Sequence, residues 1–144
     1  MHDLKGKSIL ITGASTGIGA AAARAFAQYG ANVAVHYNSS KEKAEEVAKD
    51  VRALGVTAIT VGADVRDSKA IDAAVAQVVD TFGKIDVLIN NAGSLVKREP
   101  IASASDELFD ELDSWVFVFE RLVESEELLL LDRLSENELL ASAE

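Results

Sequence analysis

The sequence predicts an α/β fold in which a parallel β-sheet is layered between helices. Within residues 1–93, four short runs rich in apolar and β-branched residues alternate with three segments whose apolar residues recur at helical spacing. Strands of a parallel sheet are covered on both faces, which explains why these runs are apolar almost throughout. A glycine-rich turn directly after the first run is the third observation that indicates βαβ units.

The predicted strands and helices follow one another in a repeated order. The strands are predicted at residues 8–12, 32–36, 58–61 and 85–89. Ser39 and Glu42 match the capping-box pattern at the start of the second helix. Each of the three helices is expected to end at a glycine in the left-handed conformation, at Gly30, Gly55 and Gly83.

The character of the chain changes after Gly93, where an acidic, leucine-rich segment begins. Its apolar residues recur at helical spacing over residues 108–123, and Ser125 and Ser135 are predicted to begin further helices. The run at 115–119 could alternatively form a strand, but the helical spacing extends beyond it on both sides. We therefore expect two or three additional C-terminal helices.

The charge of the chain is unevenly distributed and excludes several classes of partner. The formal net charge is −10, with +1 over residues 1–102 and −11 over residues 103–144. No basic stripe is present for nucleic acid, and the apolar runs are too short to cross a membrane. The absence of cysteine fits a cytoplasmic protein, and no histidine or cysteine joins the acidic residues of the tail to suggest a metal site.

The glycine-rich turn between the first strand and the first helix has the features of a phosphate site. Its sequence is GASTGIG, at residues 13–19. Glycines let the backbone come close to a phosphate, while the N–H groups and the dipole of the following helix face the anion. The spacing differs from the commoner Gly-x-Gly-x2-Gly, and a tight connection without a ligand is the alternative. The position between a strand and a helix favours the phosphate site.

Three motifs, in this order and spacing, resemble those of the short-chain dehydrogenase/reductase family. They are TGASTGIG at residues 12–19, Asp64-Val65 after the third strand, and NNAG at residues 90–93. The segment HYNSSKEKAEEV resembles the 3-oxoacyl carrier-protein reductase and glucose dehydrogenase branches. The resemblance continues through residues 106–110 and then fades. It implies a three-layer Rossmann-like fold of about four strands in the order 3-2-1-4, with NADP or NAD as the cofactor.

The resemblance also implies roles for individual residues in binding the dinucleotide. Asp64 would hydrogen-bond the adenine and Val65 would support its ring, while Thr12 and Asn90 would tie the first and fourth strands together. The path toward the nicotinamide ribose would be lined by Asn91, Ala92 and Gly93. The turn around the pyrophosphate would be formed by Gly13, Ser15, Thr16, Gly17, Ile18 and Gly19.

The end of the second strand bears on the choice between NADP and NAD. An acidic residue there would bind the ribose hydroxyls and repel a 2′-phosphate. The sequence offers His36, Tyr37, Asn38, Ser39 and Ser40, followed by Lys41, with no carboxylate before Glu42, which favours NADP. Two facts weaken this preference: the serines could merely cap the next helix, and Thr16 stands where related loops often carry a basic residue.

The catalytic serine and Tyr-x3-Lys pair of the family have no recognisable counterpart. Tyr37 and Lys41 match the spacing, but they follow the second strand, at the adenosine end of the site. No tyrosine or lysine occurs after residue 98, so no catalytic residue is predicted. The leading interpretation is a nucleotide-binding module without reductase activity of its own. The alternatives are an oxidoreductase with a different or partner-supplied acid/base, and an interaction or scaffold protein with a vestigial site.

The sequence divides near residue 105. We expect residues 1–105 to form the Rossmann-like half and residues 106–144 to form an acidic helical tail. Without later strands the fourth strand would be an apolar edge, so the tail is expected to pack against it, or two chains to form a homodimer there or through the tail helices. A shifted reading frame, a truncation joined to new sequence, or engineering would each explain the change.

Overall fold

The computed structural model describes residues 4–93 and the pair Leu129–Leu130. All strands of its single sheet run parallel, in the order β3-β2-β1-β4-β5. The predicted α/β fold and the order 3-2-1-4 are confirmed, and β5 is added outside β4. The elements are β1 (Ser8–Ile11), α1 (Gly17–Gln28), β2 (Asn32–Tyr37), α2 (Lys41–Ala53), β3 (Ala58–Gly62), α3 (Ser68–Phe82), β4 (Val87–Ile89) and β5 (Leu129–Leu130).

Each face of the sheet has its own apolar core. Successive strand residues point to opposite faces, so neighbours such as Ile9 and Leu10 belong to different cores. One core packs under α1 and α2 and includes Ile9, Ile11, Val33, Val35, Ala23, Ala27, Val47 and Val51. The other packs under α3 and includes Leu10, Ala34, Val61, Ile71, Ala74, Val78 and Leu88. This is the three-layer arrangement that the sequence predicts.

The ends of the three helices are as predicted, whereas the start of α2 is not. Gly30, Gly55 and Gly83 have φ of 86°, 87° and 82°, so each adopts the left-handed conformation expected after a helix. The prediction of a capping box at the start of α2 is wrong. Ser40 rather than Ser39 is the N-cap, and no side chain caps the helix, because α2 begins one residue later than the pattern requires. Glu42 still lies in the first turn, where the helix dipole favours a carboxylate.

The outer side of β4 differs from the expectation. Leu129 and Leu130 pair in parallel with Val87 and Leu88, whereas the sequence predicts a helix beginning at Ser125. The unpaired N–H and C=O groups along β4 are a template for a strand, and this pairing overrides the local helical pattern. The edge that the tail is expected to cover, or at which two chains are expected to meet, is therefore paired with a strand from the tail rather than covered by a helix. The other predicted tail helices, the junction near residue 105 and any interface through the tail lie outside the described residues.

Candidate functional site

The predicted binding residues converge at the carboxyl ends of the strands, which we call the carboxyl edge. Because β1, β2, β3 and β4 are parallel, the segments that follow them meet at this edge. Ligands of open α/β sheets bind at this edge, outside the ends of the strands. Four loops contribute the predicted residues: 12–19 after β1, 37–39 after β2, 63–65 after β3 and 91–93 after β4.

The glycine turn leaves the start of α1 open. Gly13 and Gly17 have φ of 61° and 57°, which a side chain would strain. A Cβ at Gly17 would meet no atom within 4 Å. The N-cap, Thr16, makes no side-chain hydrogen bond to the helix, and the first N–H groups of a helix have no partner within it. Backbone donors and the positive end of the helix dipole thus face unfilled space.

The same turn packs tightly against the loop after β4. A Cβ at Gly13 would lie 2.9 Å from Ala92 Cα, closer than real contacts of that kind. A Cβ at Gly19 would lie 2.5 Å from Asn91 Nδ2 and 2.7 Å from Gly13 O. Glycine is required at both positions because another part of the backbone occupies the space of a side chain.

Thr12 and Asn91 join the turn to that loop. The Thr12 hydroxyl accepts the N–H groups of Asn91 and Ala92, each at 2.9 Å, and donates to Ile89 O at 3.3 Å. The Asn91 side-chain amide donates to the carbonyl oxygens of Thr12 and Gly13 at 3.0 and 3.1 Å. The tie between the first and fourth strands is therefore made with Asn91, and the expectation that Asn90 would make it is wrong.

A buried histidine, which the sequence analysis considered only in the choice between NADP and NAD, lies beneath the turn. The Gly13 N–H donates to His36 Nδ1 at 3.1 Å, which leaves Nε2 to donate to Ala63 O at 3.0 Å. Burial lowers the pKa of His36, against a smaller upward effect of the bond to Ala63. The available signal was a histidine near the end of a mostly apolar strand.

The residues at the end of β2 carry no charge. The Tyr37 ring lies across Gly62 of β3, where a Cβ would be 2.9 Å from the ring carbon Cζ and from the hydroxyl oxygen. Asn38 and Ser39 are exposed. Both tyrosines of the chain are remote from the loop after β4, since Tyr29 caps the far end of α1 and β1 separates Tyr37 from β4.

Asp64 is already engaged within its own loop. Its carboxylate accepts bonds from Arg66 Nη2 at 2.7 Å, from Nε at 3.0 Å and from the Arg66 N–H at 2.9 Å. The side-chain bonds from Arg66, followed by the backbone bond, lower the pKa of Asp64 to about 2. Val65 is buried, and its side chain belongs to the core under α3. A ligand that binds Asp64 would have to share its oxygens with Arg66.

Two further classes of site were sought among the described residues. Residues 4–93 contain no group of three His, Asp, Glu or Cys side chains arranged to hold a metal ion. In the same range, no helix is both long and apolar enough to cross a membrane.

Two curated proteins are similar to the first part of the chain. The L-rhamnose 1-dehydrogenase (NAD(P)(+)) of Sphingomonas sp. is 50% identical over 93 residues, which are 65% of this chain and 37% of that protein. A 3-oxoacyl-acyl-carrier-protein reductase of Staphylococcus aureus is 49% identical over 87 residues, which are 60% of this chain and 35% of that protein. The matched region thus spans little more than a third of each relative.

Two solved structures are similar to this chain in fold as well as in sequence. A Serratia marcescens short-chain dehydrogenase/reductase double mutant superposes with a TM-score of 0.77 at 32% identity, covering 90% of this chain and 56% of that one. A short chain dehydrogenase from Burkholderia cenocepacia, in complex with NADP, gives a TM-score of 0.73 at 37% identity, covering 83% of this chain and 50% of that one.

The family profile covers most of the chain. It matches residues 7–116, a range that holds the glycine turn, Asp64-Val65 and the segment 90–93. The match ends close to the place where the resemblance fades and the acidic segment continues alone. The chain belongs to the short chain dehydrogenase family.

Proposed function

We propose that this chain binds NADP, and NAD less tightly, with the pyrophosphate on the glycine turn at the start of α1. The observation that carries the proposal is the open helix start, where a Cβ at Gly17 would meet nothing and no side chain caps the N–H groups. A pyrophosphate needs this combination of backbone donors, positive dipole and space. The NADP complex of the Burkholderia cenocepacia relative supports the dinucleotide as ligand.

The proposed assignments follow the four loops of the carboxyl edge. Asp64 and Val65 would contact the adenine, and Asn91, Ala92 and Gly93 would line the side toward the nicotinamide ribose. Tyr37, Asn38 and Ser39 would lie at the adenosine ribose. The residues proposed at the pyrophosphate are Gly13, Ser15, Thr16, Gly17, Ile18 and Gly19.

The preference for NADP rests on charge at the end of β2. An acidic side chain at this place repels a 2′-phosphate, and Tyr37, Asn38 and Ser39 supply none. The nearby carboxylate of Asp64 is paired with Arg66 at 2.7 Å, so this pair adds no net negative charge. Two exposed polar side chains, Asn38 and Ser39, can then hydrogen-bond the phosphate oxygens.

We further propose that the chain alone binds the dinucleotide without reducing a carbonyl substrate at an appreciable rate. The cofactor supplies a hydride, but a carbonyl also needs a proton from a group within hydrogen-bond reach of its oxygen. Both tyrosines lie away from the loop after β4, on the far end of α1 and on the β3 side of the sheet. The chain also matches only 35–37% of the length of its curated relatives.

A pair of glycine variants tests the binding site. Gly17→Val and Gly55→Val both place a side chain at positive φ in open space, so each is expected to cost about 1–2 kcal/mol of stability. Only Gly17→Val fills the proposed pyrophosphate position. We expect nicotinamide fluorescence titrations to show tighter binding of NADPH than NADH, complete loss of binding in Gly17→Val, and retention in Gly55→Val. Equal affinities in the two variants would contradict the phosphate site.

A second measurement tests the absence of activity. The protein loaded with NADPH is mixed with a panel of aldehydes and ketones, and the oxidation of the cofactor is followed by absorbance. We expect no oxidation above the uncatalysed rate. Turnover that disappears in Gly17→Val and remains in Gly55→Val would instead establish an oxidoreductase with an acid/base of another kind.

A further inference from the structure

Two segments of the carboxyl edge meet on one imidazole ring, that of His36. The Gly13 N–H donates to Nδ1 at 3.1 Å, and Nε2 lies 3.0 Å from the carbonyl oxygen of Ala63, the residue before Asp64. The backbone adds a third bond, from the Ala14 N–H to His36 O at 2.8 Å. Only 3% of His36 is exposed, so water does not replace these bonds.

We propose that His36 is a positioning residue that holds the glycine turn at a fixed place relative to the end of β3. The inference rests on the proposed function, since the turn and the loop after β3 are assigned to the pyrophosphate and to the adenine. A dinucleotide spans both segments, and a ligand that bridges two segments binds more tightly when their separation is already set. His36 is not expected to touch the ligand.

The hydrogen bonds require one protonation state. Nδ1 must be an acceptor because the Gly13 amide is a donor, and Nε2 must carry the proton because the Ala63 carbonyl is an acceptor. A second proton on Nδ1 would set two donors against each other and break the bond to Gly13. Burial, which lowers the pKa of His36, keeps the ring neutral near neutral pH.

The surroundings add little charge to compete with this effect. The turn at 12–16 and strands β1 and β3 carry no titratable side chain. Within β2 the neighbouring titratable residue is Tyr37, and the loop after Ala63 brings Asp64, Arg66 and Asp67. Asp64 and Arg66 are paired with each other, and Asp67 caps α3.

The parent protein of the test carries His2→Gln, so that His36 is its single histidine and its signals can be assigned. This parent is compared with His36→Asn and His36→Leu, each made in the same background. Asparagine offers a hydrogen-bond acceptor but does not titrate, and leucine offers none. Ligand-free protein is examined first by ¹⁵N NMR. We expect the Nε2–H tautomer of His36. We also expect the Gly13 amide to be protected from exchange, with a protection factor that falls on acidification in the histidine protein and does not depend on pH in His36→Asn. The Nδ1–H tautomer, or a Gly13 amide equally protected in His36→Leu, would overturn the proposal.

Calorimetric titration with NADP⁺ forms the second half of the test. At about pH 8 we expect His36→Leu to bind about tenfold more weakly than the histidine protein, with His36→Asn in between. As the pH falls from about 8 through the lowered folded pKa of His36, the histidine protein should lose affinity relative to His36→Asn, a comparison in which titration of the ligand itself cancels. Affinity that instead rises relative to His36→Asn, as direct attraction of an imidazolium to the pyrophosphate would cause, overturns the proposal.

The two measurements also distinguish an error in the proposed function from an error in the proposed role of His36. If none of the proteins bound NADP⁺ while the tautomer and the Gly13 protection were as expected, the proposed function would be wrong and the role of His36 in holding the turn would stand. Circular dichroism of each variant verifies that the sheet and helices are retained before either comparison is made.

Discussion

Within residues 4–93, the carboxyl edge of the sheet and the opposite end, which we call the amino edge, each contain one buried titratable side chain. At the carboxyl edge His36 is neutral and bonds only to backbone groups, Gly13 N–H and Ala63 O. At the amino edge Asp86 is ionised, with Lys84 Nζ at 2.7 Å, Lys7 Nζ at 3.2 Å and the Ser8 N–H at 2.9 Å. The charge at the amino edge is compensated by these groups, whereas no side chain caps the N–H donors at the start of α1, at the carboxyl edge.

Four of the glycines show two different uses of this residue. Gly13 and Gly19 are surrounded by other backbone atoms, so the turn and the loop after β4 can approach only because neither has a side chain. Gly55 and Gly83 have nothing within 4 Å and only supply the positive φ that ends a helix. Glycine thus permits a close contact at Gly13 and Gly19 and a chain reversal at Gly55 and Gly83.

Gly19→Ala should have the largest effect and tests this contrast directly. Its methyl group would lie 2.5 Å from Asn91 Nδ2, so we expect a loss of about 3 kcal/mol in the free energy of unfolding and loss of NADPH binding. Gly83→Ala, in open space, should cost about 1 kcal/mol and leave binding intact. Urea denaturation measures both variants, and equal losses would show that packing around Gly19 is not special.

Asp86→Asn addresses the amino edge. The variant keeps the shape of the side chain but removes the charge that faces two lysines, and we expect a loss of about 1–2 kcal/mol. The loss is limited because Lys7 and Lys84 are about half exposed and remain hydrated. Asp80→Asn, on the exposed side of α3, is the control and should be within about 0.5 kcal/mol of the parent. A change in NADPH affinity in Asp86→Asn would show that the two edges are coupled.

The smallest expected change is in the pH dependence of stability, in which His36 and Asp86 act over different pH ranges. The pKa of His36 is lowered by burial, so the unfolded chain takes up a proton below pH 6.5 while the folded chain does not. Stability therefore falls as the pH drops from 6.5 toward the folded pKa, by at most about 1.4 kcal/mol per pH unit. His36→Asn should remove this dependence and Asp86→Asn should preserve it, as measured by urea denaturation at a series of pH values.

Asp86 should act in a lower pH range. Burial alone would raise the pKa of Asp86, but bonds from Lys84, the Ser8 amide and Lys7 outweigh it and lower the pKa below 3.8. Its contribution is complete above that value and is lost as the pH falls through the folded pKa. A loss of stability just below pH 6.5 that persisted in His36→Asn would contradict the assignment of that loss to His36.

Local pattern was sufficient to predict most of the elements. The alternation of apolar runs and helical spacing locates the strands from β1 to β4 and the helices, and positive φ is confirmed at the three closing glycines. The strand order came from the family resemblance, because pairing between distant strands leaves little trace in a single sequence. The strand at Leu129–Leu130 was missed for this reason, since the open edge of β4 and not the local pattern determines it.

The candidate site was predictable as a set of loops but not as a set of contacts. The motifs identify the four loops that meet at the carboxyl edge. They do not show that Asn91 is bonded to the turn, that Asp64 is bonded to Arg66, or that His36 lies beneath Gly13. Each of these depends on which atoms meet after folding, and Asn91 meets Thr12 across a sequence separation of 79.

That separation sets the order in which the domain can form. β1 precedes every other strand in the chain and yet lies between β2 and β4, so one of its sides stays unpaired until β4 has been synthesised. A contact between distant residues also closes a long loop, which slows its formation. During synthesis the glycine turn emerges from the ribosome early, but its bonds to Asn91 and Ala92 can form only after those residues have followed. The glycine turn is therefore among the first parts of the domain to be made and among the last to be completed.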